Sequence, residues 1–321
     1  MRVLVTGGAG YIGSIVAAEL LAAGHHVVVV DDLSTGHADA LPPGVDFHEA
    51  DIRTIGEVLG DWAVDAVIHF AAKSLVAESV HDPARYWHDN VVGTIALIDA
   101  MRANGVRRIV YSSSAATYGD ASETPIPESA PTRPTSAYGA TKLAVDLALS
   151  NYAQAYGLAA VSLRYFNVAG ALHAQDGHRY GERHLVETHL IPLAIRAVTD
   201  QTSLALYGSD YPTPDGTCVR DYIHVLDLSD AHLRALSVCE PGTHRIVNLG
   251  SGCGYSVREV IATVREVTGY ELVVRTEPRR PGDPATLVAA NELAGVLLGW
   301  RPQRGLKQMI TDAWEFHAIS A

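Results

Sequence analysis

The chain opens on a sharp change of hydrophobic rhythm. Val3-Leu4-Val5-Thr6 is a short apolar, β-branched run, followed by Gly7-Gly8-Ala9-Gly10-Tyr11-Ile12-Gly13 and then the apolar, Ala-rich stretch from Ile15 to Ala23. Gly24 stops that stretch, and Val27-Val28-Val29-Val30-Asp31 follows. Strand, tight glycine turn, helix, glycine stop and second strand make one βαβ unit. The same logic predicts a third strand over Val45–Ile52, a fourth over Asp65–Ala72, a helix over Pro83–Asn104 and a fifth strand over Arg108–Ser112. A helix from Ser136 to Ala155 and a strand over Val161–Phe166 come next. Alternation at this spacing implies right-handed crossovers, so the fold class is α/β, a doubly wound parallel sheet.

From Asn167 to Gly181 the chain is polar, rich in His and Gly, and without periodicity, and the domain change is placed here. Residues 1–168 form the larger domain, joined by part of 215–250, and residues 169–321 a smaller C-terminal α/β domain. Helical periodicity marks Glu187–Thr199, Leu226–Val238, Val257–Val267 and Gly305–His317, with short strands at Leu204–Tyr207, Tyr222–Val225, Ile246–Leu249 and Leu272–Arg275.

Gly7, Gly10 and Gly13 give the first turn its chemistry. Glycines let the backbone turn sharply and approach a pyrophosphate, which then sits on the free N–H groups and positive dipole end of the helix beginning near Tyr11. An acid ending the second strand can hydrogen-bond the adenosine ribose, and Asp31 stands 18 residues past Gly13. This is a Rossmann-type fingerprint in its required context of strand, helix and acid. Asp31-Asp32 repels a 2′-phosphate, and no Arg or Lys lies between Leu33 and His37, so NAD is expected over NADP. Ligands in such sheets lie at the carboxyl ends of the strands, where Phe70-Ala71-Ala72 and Ser112-Ser113-Ser114 converge. Residues 120 to 136, with four prolines, form a long loop over that site.

Composition narrows the field. With 321 residues, 48% hydrophobic and 19% charged, the chain is globular and large enough for more than one core. A net charge of −12 without Lys/Arg runs argues against nucleic acid or an anionic membrane as partner. An anionic small substrate must then be held by individually placed arginines. Three cysteines without a C-x-x-C read as reduced thiols of a cytoplasmic protein. Arg2 already belongs to the first strand, so no signal peptide is expected, and no apolar run approaches a membrane span. His184 and His189 stand five apart and no H-E-x-x-H or H-x-H occurs, so no metal site is expected.

Tyr138 and Lys142 share a helix face one turn apart. A phenol that acts as a base at neutral pH needs roughly three units of pKa depression, about 4 kcal/mol. A lysine ammonium and a cationic nicotinamide ring can supply it. Alone, such a pair reads as an exposed amphipathic surface. The dinucleotide fingerprint upstream and the Ser112–Ser114 run ending the preceding strand favour a catalytic reading, with a serine hydroxyl bonding the substrate oxygen on which Tyr138 acts.

On these residues the chain resembles the extended short-chain dehydrogenase/reductases, and among them the UDP-hexose 4-epimerases. The likeness runs nearly end to end, through Val5–Ser14, His69–Ala72, Ser112–Ala115 with Tyr118-Gly119, Ser136–Lys142, and Leu163–Asn167 with Ala169–Ala171. Asp210–Thr213, Asp215–Thr217 with Val219–Val225, and Pro278–Arg280 with Gly282-Asp283 carry the narrower resemblance. It implies NAD-dependent 4-epimerisation of UDP-glucose/UDP-galactose, an isomerase reaction: hydride leaves C4, the 4-keto sugar turns over, and hydride returns to the opposite face. Tyr138 is then the base on the 4-hydroxyl, Lys142 holds the nicotinamide ribose and lowers the Tyr138 pKa, and Ser114 bonds the sugar oxygen. The resemblance adds Tyr11, Ile12, Asp31, Asp32, Leu33, Ser34, Thr35, Gly36, Asp51, Ile52, Phe70, Ala71, Ala72, Asn90 and Phe166 around the cofactor. Asn167, His189, Leu190, Tyr207, Arg220, Arg280 and Asp283 hold the UDP-sugar, with Arg220 and Arg280 as guanidinium forks for a pyrophosphate, and Arg279 an ordinary surface arginine. It also implies a homodimer, paired through the helices Pro83–Asn104 and Ser136–Ala155 as a four-helix bundle.

There are departures from the best-known bacterial form of the family. A lysine often found after the fourth strand falls at Ser74, with Lys73 one place earlier, a usual Asn is His189, and Leu287 aligns with a tyrosine of the sugar pocket. Two other readings stay open. A nucleotide-sugar 4,6-dehydratase needs an acid–base pair after the serine of the fifth strand, where Ala115-Ala116 stand. A catalytically silent NAD-binding protein has little reason to keep Tyr138, Lys142 and Ser114 together.

Overall fold

The computed structural model describes residues 1–174, 176–280 and 283–318, without the side chains of Glu57 and Val58. Gly282 of the Pro278–Asp283 motif lies outside the described residues. β1 (Arg2–Thr6), β2 (His26–Asp31), β3 (Asp46–Glu49), β4 (Ala66–His69), β5 (Arg108–Ser114) and β6 (Ala159–Tyr165) form one seven-stranded sheet with the late strand His244–Leu249. The order is His244–Leu249, β6, β5, β4, β1, β2, β3, and every pairing is parallel. The chain winds outward from β1 to β3, then returns to lay β4 on β1's other side, which makes β1/β4 the topological switch point.

The valine runs are continuous because both sheet faces are covered, and successive side chains divide between them. Val3, Val5, Val27 and Val29 pack with Val16 and Leu20 of the helix Tyr11–Ala22 and with Leu228 and Trp300. Leu4, Val28 and Val30 pack on the other face with Leu97, Met101, Val145 and Leu149. Full burial of each such side chain contributes about 1.5–3 kcal/mol. A separate core joins the helices Leu190–Thr199, Val257–Thr268 and Leu306–Ala318 over the parallel pair Ser203–Tyr207 and Val273–Glu277.

Several boundaries differ from the sequence reading. The third strand stops at Glu49, because the Asp51 side chain accepts from Arg53 N and starts the 3-10 turn Ile52–Thr54. The fourth stops at His69, and the fifth runs on to Ser114. The helix expected over Pro83–Asn104 ends at Ala103 and contains the π-helical turn Trp87–Val92. Helices at Gly56–Trp62, Val76–His81 and Glu292–Leu298 were not predicted. Asn167–Ala169 is a strand, not a loop, paired in parallel with Val219–His224. The helix after it begins at Leu190 rather than Glu187, with His189 as N-cap.

Candidate functional site

The carboxyl ends of β1, β4 and β5 open onto one cavity of about 530 Å³ that reaches from Asp31 and Asp51 at one end to Arg220 and Asp283 at the other. Its floor is built for close approach. Gly7 has φ +71°, and a Cβ there would meet Ala71 N at 2.6 Å; a Cβ on Gly13 would meet Gly7 O at 2.2 Å. The helix Tyr11–Ala22 has no side-chain hydrogen bond from its N-cap Gly10, and Tyr11 and Ile12 of its first turn border the cavity. An uncapped helix N-terminus over glycine backbone is a cradle for a pyrophosphate. Asp31 accepts from Ala9 N at 3.0 Å and Leu33 N at 2.8 Å, so its carboxylate is fixed at the cavity edge. Burial raises its pKa, and those backbone N–H groups oppose the shift. These features suit a dinucleotide with free ribose hydroxyls.

Most of the expected cofactor residues border this cavity: Gly7, Gly10, Tyr11, Ile12, Gly13, Asp31, Asp32, Ser34, Thr35, Gly36, Asp51, Ile52, Phe70, Ala71, Ala72, Tyr138, Lys142 and Phe166. Leu33 and Asn90 do not. Asn90 stands behind the wall in the π-turn, accepting from Lys73 N at 2.8 Å and donating to Lys73 O at 3.0 Å and Thr141 Oγ1 at 3.2 Å. It shapes the loop after β4 rather than facing the space. Lys73 does border the cavity, and its ammonium donates to Ser34 Oγ at 2.8 Å across the mouth.

Ser114, Tyr138 and Lys142 lie together in the cavity wall. Ser136 caps the helix Ala137–Tyr156 by accepting from Gly139 N at 3.1 Å. That helix start packs so tightly on the turn after β5 that a Cβ on Gly139 would meet Ala116 O at 2.4 Å. The contact sets Tyr138 beside the end of β5. Lys142 is buried, donates to Ser112 O at 2.6 Å and lies 4.9 Å from the Tyr111 ring centre and 5.8 Å from that of Tyr138. Ser113 and Arg164 hold Asp146 beneath, at 3.1 Å and 2.9 Å.

Burial raises the Tyr138 pKa, with the Ser114 hydrogen bond opposing it, and burial lowers Lys142 to about 7, with Asp146 opposing. Burial and the Ser114 hydrogen bond are thus the two influences that set the direction at Tyr138. Any depression needs further positive charge in the cavity, which a cationic ring against this wall supplies.

At the far end, Asn167, His189, Arg220 and Asp283 border the cavity, as does Leu287, which stands opposite Arg220 in strand register. Arg220 is held by Asp283 at 2.5 Å, so its fork is oriented by a carboxylate. Leu190, Tyr207 and Arg280 do not border it. Arg280 stacks on the Tyr207 ring at 3.8 Å, and Arg279 pairs with Asp210 on the exposed surface. The cavity also borders Glu182, which the sequence reading passed over, and His184, which it weighed with His189 and set aside as a metal ligand. With Glu187 and His189 they gather four ligand-type atoms within 4.8 Å of one another. The signal was the spacing E-x-H-x-x-E-x-H, visible only if carboxylates are counted with the histidines. In that cluster the two carboxylates raise His184 to about 9, and outweigh burial to hold His189 at about 10.

A switch-point cavity with glycine cradle, ribose-binding acid and Ser–Tyr–Lys wall defines a Rossmann-fold enzyme of the short-chain dehydrogenase/reductase type. The chain belongs to the NAD dependent epimerase/dehydratase family, whose pattern it matches over residues 3–250. It is 53% identical over 319 residues to the UDP-glucose 4-epimerase of Corynebacterium glutamicum, covering 98% of this chain and 95% of that one. It is 52% identical to the UDP-glucose 4-epimerase of Streptomyces lividans over 322 residues, covering 99% and 96%. The crystal structure of UDP-glucose 4-epimerase from Brucella ovis in complex with NAD superposes with a TM-score of 0.93 at 45% identity, covering 98% and 97%.

Proposed function

We propose that this protein is an NAD-dependent UDP-glucose 4-epimerase, an isomerase interconverting UDP-galactose and UDP-glucose. The observation that carries it is one continuous cavity joining the glycine cradle, the Ser114–Tyr138–Lys142 wall and the Arg220–Asp283 pair. Bound NAD supplies a hydride acceptor and donor at its nicotinamide ring. The first turn of the helix Tyr11–Ala22 holds the pyrophosphate, Asp31 the adenosine ribose and Lys142 the nicotinamide ribose. Tyr138 takes the proton from the sugar 4-hydroxyl and later returns it, while Ser114 holds that oxygen in line. Arg220, set by Asp283, faces the UDP phosphates, and Asn167 and His189 complete that end. No net oxidation occurs. The elimination alternative lacks its acid–base pair, since Ala115 and Ala116 border the cavity where that pair must stand.

Residues 1–168 with the strand His244–Leu249 act as the NAD-binding unit, and the remainder of 169–321 as the nucleotide-sugar unit. The working form is a cytoplasmic homodimer. Val80, Trp87, Val92, Leu147 and Tyr156 are exposed apolar residues of the helical stretch 76–103 and the helix Ala137–Tyr156, the two elements a second copy covers in a four-helix bundle. Among the described residues no helix is long and apolar enough to cross a membrane. Incubation with UDP-galactose and chromatography of the products tests the activity. Tyr138→Phe keeps its NAD and loses about 10²–10⁴ in kcat. Near-normal turnover by that variant removes Tyr138 from the role.

A further inference from the structure

We propose that Glu182, His184, Glu187 and His189 form a structural zinc site that ties the irregular segment 181–189 at the border of the cavity. Each residue offers one ligand atom, and these lie within 4.8 Å of one another. His189 Nδ1 is 2.7 Å from Glu182 Oε1 and 3.1 Å from Glu187 Oε1. His184 Nδ1 is 3.1 Å from Glu182 Oε1 and 3.5 Å from Glu187 Oε2. Around a tetrahedral ion with bonds of 2.0–2.1 Å, neighbouring ligand atoms stand about 3.3 Å apart, which these separations bracket.

Charge supports the same assignment. The Glu182 and Glu187 side chains are only 6% and 1% exposed, and among the described residues no Lys or Arg pairs with either. Two carboxylates buried side by side need two positive charges close at hand. Either both imidazoles carry protons or one divalent ion serves both acids. The position of His184 Nδ1 favours the ion: it is buried 3.1 Å from Glu182 Oε1 and 3.5 Å from Glu187 Oε2, yet neither contact has the geometry of a well-formed hydrogen bond. Imidazole with carboxylate suits zinc, and four protein ligands leave no position open, the mark of a structural site.

The segment's other contacts show what such a tie holds in place. Arg183, between the ligands, donates to Asp39 at 3.0 and 2.7 Å, and its carbonyl lies 2.9 Å from His37 Nε2. The ligands thus join the loop after β2 to the start of the helix Leu190–Thr199.

The test needs no substrate, so it is separable from the proposed epimerase activity. Untagged protein grown with zinc is measured by elemental analysis, and again after chelation and reconstitution with Co²⁺. The expected result is about one zinc per chain, a visible absorption typical of four-coordinate Co²⁺, and a Tm that falls on chelation and recovers with zinc. Glu187→Gln and His184→Asn, near-isosteric and checked for folding by circular dichroism, lose at least tenfold in zinc affinity. A wild-type protein below about one-tenth equivalent after zinc addition, with Tm indifferent to zinc and chelator, overturns the proposal in favour of a histidinium–carboxylate cluster. So does equal zinc in wild type and both folded variants, which marks an adventitious ion only.

Discussion

Leu287 borders the cavity opposite Arg220. Leucine leaves room beside the sugar but offers an acetamido group no hydrogen bond, and burying that amide unpaired costs about 1–3 kcal/mol. Plain UDP-hexoses are therefore preferred, with weak turnover of UDP-GalNAc. Leu287→Tyr closes the space and lowers the kcat/KM ratio of UDP-GalNAc to UDP-galactose about tenfold, read from paired kinetics on both sugars. An unchanged ratio shows that Leu287 does not set the width. Residue chemistry was the most legible part of the sequence, because glycines, an acid and a Tyr-x-x-x-Lys pair have few other uses together. Side-chain direction was not. Arg280 carries the right group and lies over the Tyr207 ring, beyond the cavity lining, and Asn90 acts on the backbone of Lys73 from behind the wall. Such partners are distant in sequence, and no local pattern encodes them.

Elements were legible where periodicity was strong and lost where tertiary contacts overrode it. The run Pro83–Asn104 reads as one helix, yet Trp87–Val92 winds as a π-turn, and Thr94 Oγ1 just after it donates to Asn90 O at 2.6 Å. His69 bridges β4 to the helix Gly93–Ala103 that follows the turn and to β1, at 2.8 Å from Thr94 and 2.6 Å from Thr6. Asn167–Ala169 has no strand periodicity over so short a stretch and is a strand only because Val219–His224 lies beside it. The buried bridge at His69 makes the fold acid-sensitive. Burial and the nearby Lys142 hold the imidazole down to about 3. The unfolded chain takes up this proton near 6.5, so between pH 6.5 and 3 it binds more protons than the folded one, and stability falls as pH drops through that window. The loss is about 1.4 kcal/mol per pH unit well below 6.5. Urea unfolding at pH 7 and pH 5 is expected to show a steeper acid loss for the wild type than for His69→Gln, in which every other titrating group is kept. Equal losses contradict the assignment of a neutral buried imidazole.

At the scale of the molecule, one parallel sheet fixes everything else. Its switch point places the glycine cradle, and its β5 end meets the helix Ala137–Tyr156 to set Ser114, Tyr138 and Lys142 in one wall. The apolar side chains left exposed on the far side of that helix and on residues 76–103 carry the proposed pairing. Sedimentation at micromolar concentration is expected to give twice the 34.2 kDa of one chain, and a single-chain mass contradicts the dimer. The central claim is that this cavity inverts C4 of a UDP-hexose by removing and returning the same hydride. The most direct measurement is incubation of the purified protein with UDP-galactose carrying deuterium at C4, followed by mass spectrometry and NMR of the products. The account predicts UDP-glucose with the deuterium retained at C4 and none lost to solvent; deuterium washed out to water, or a dehydrated 4-keto-6-deoxy sugar in place of UDP-glucose, contradicts it.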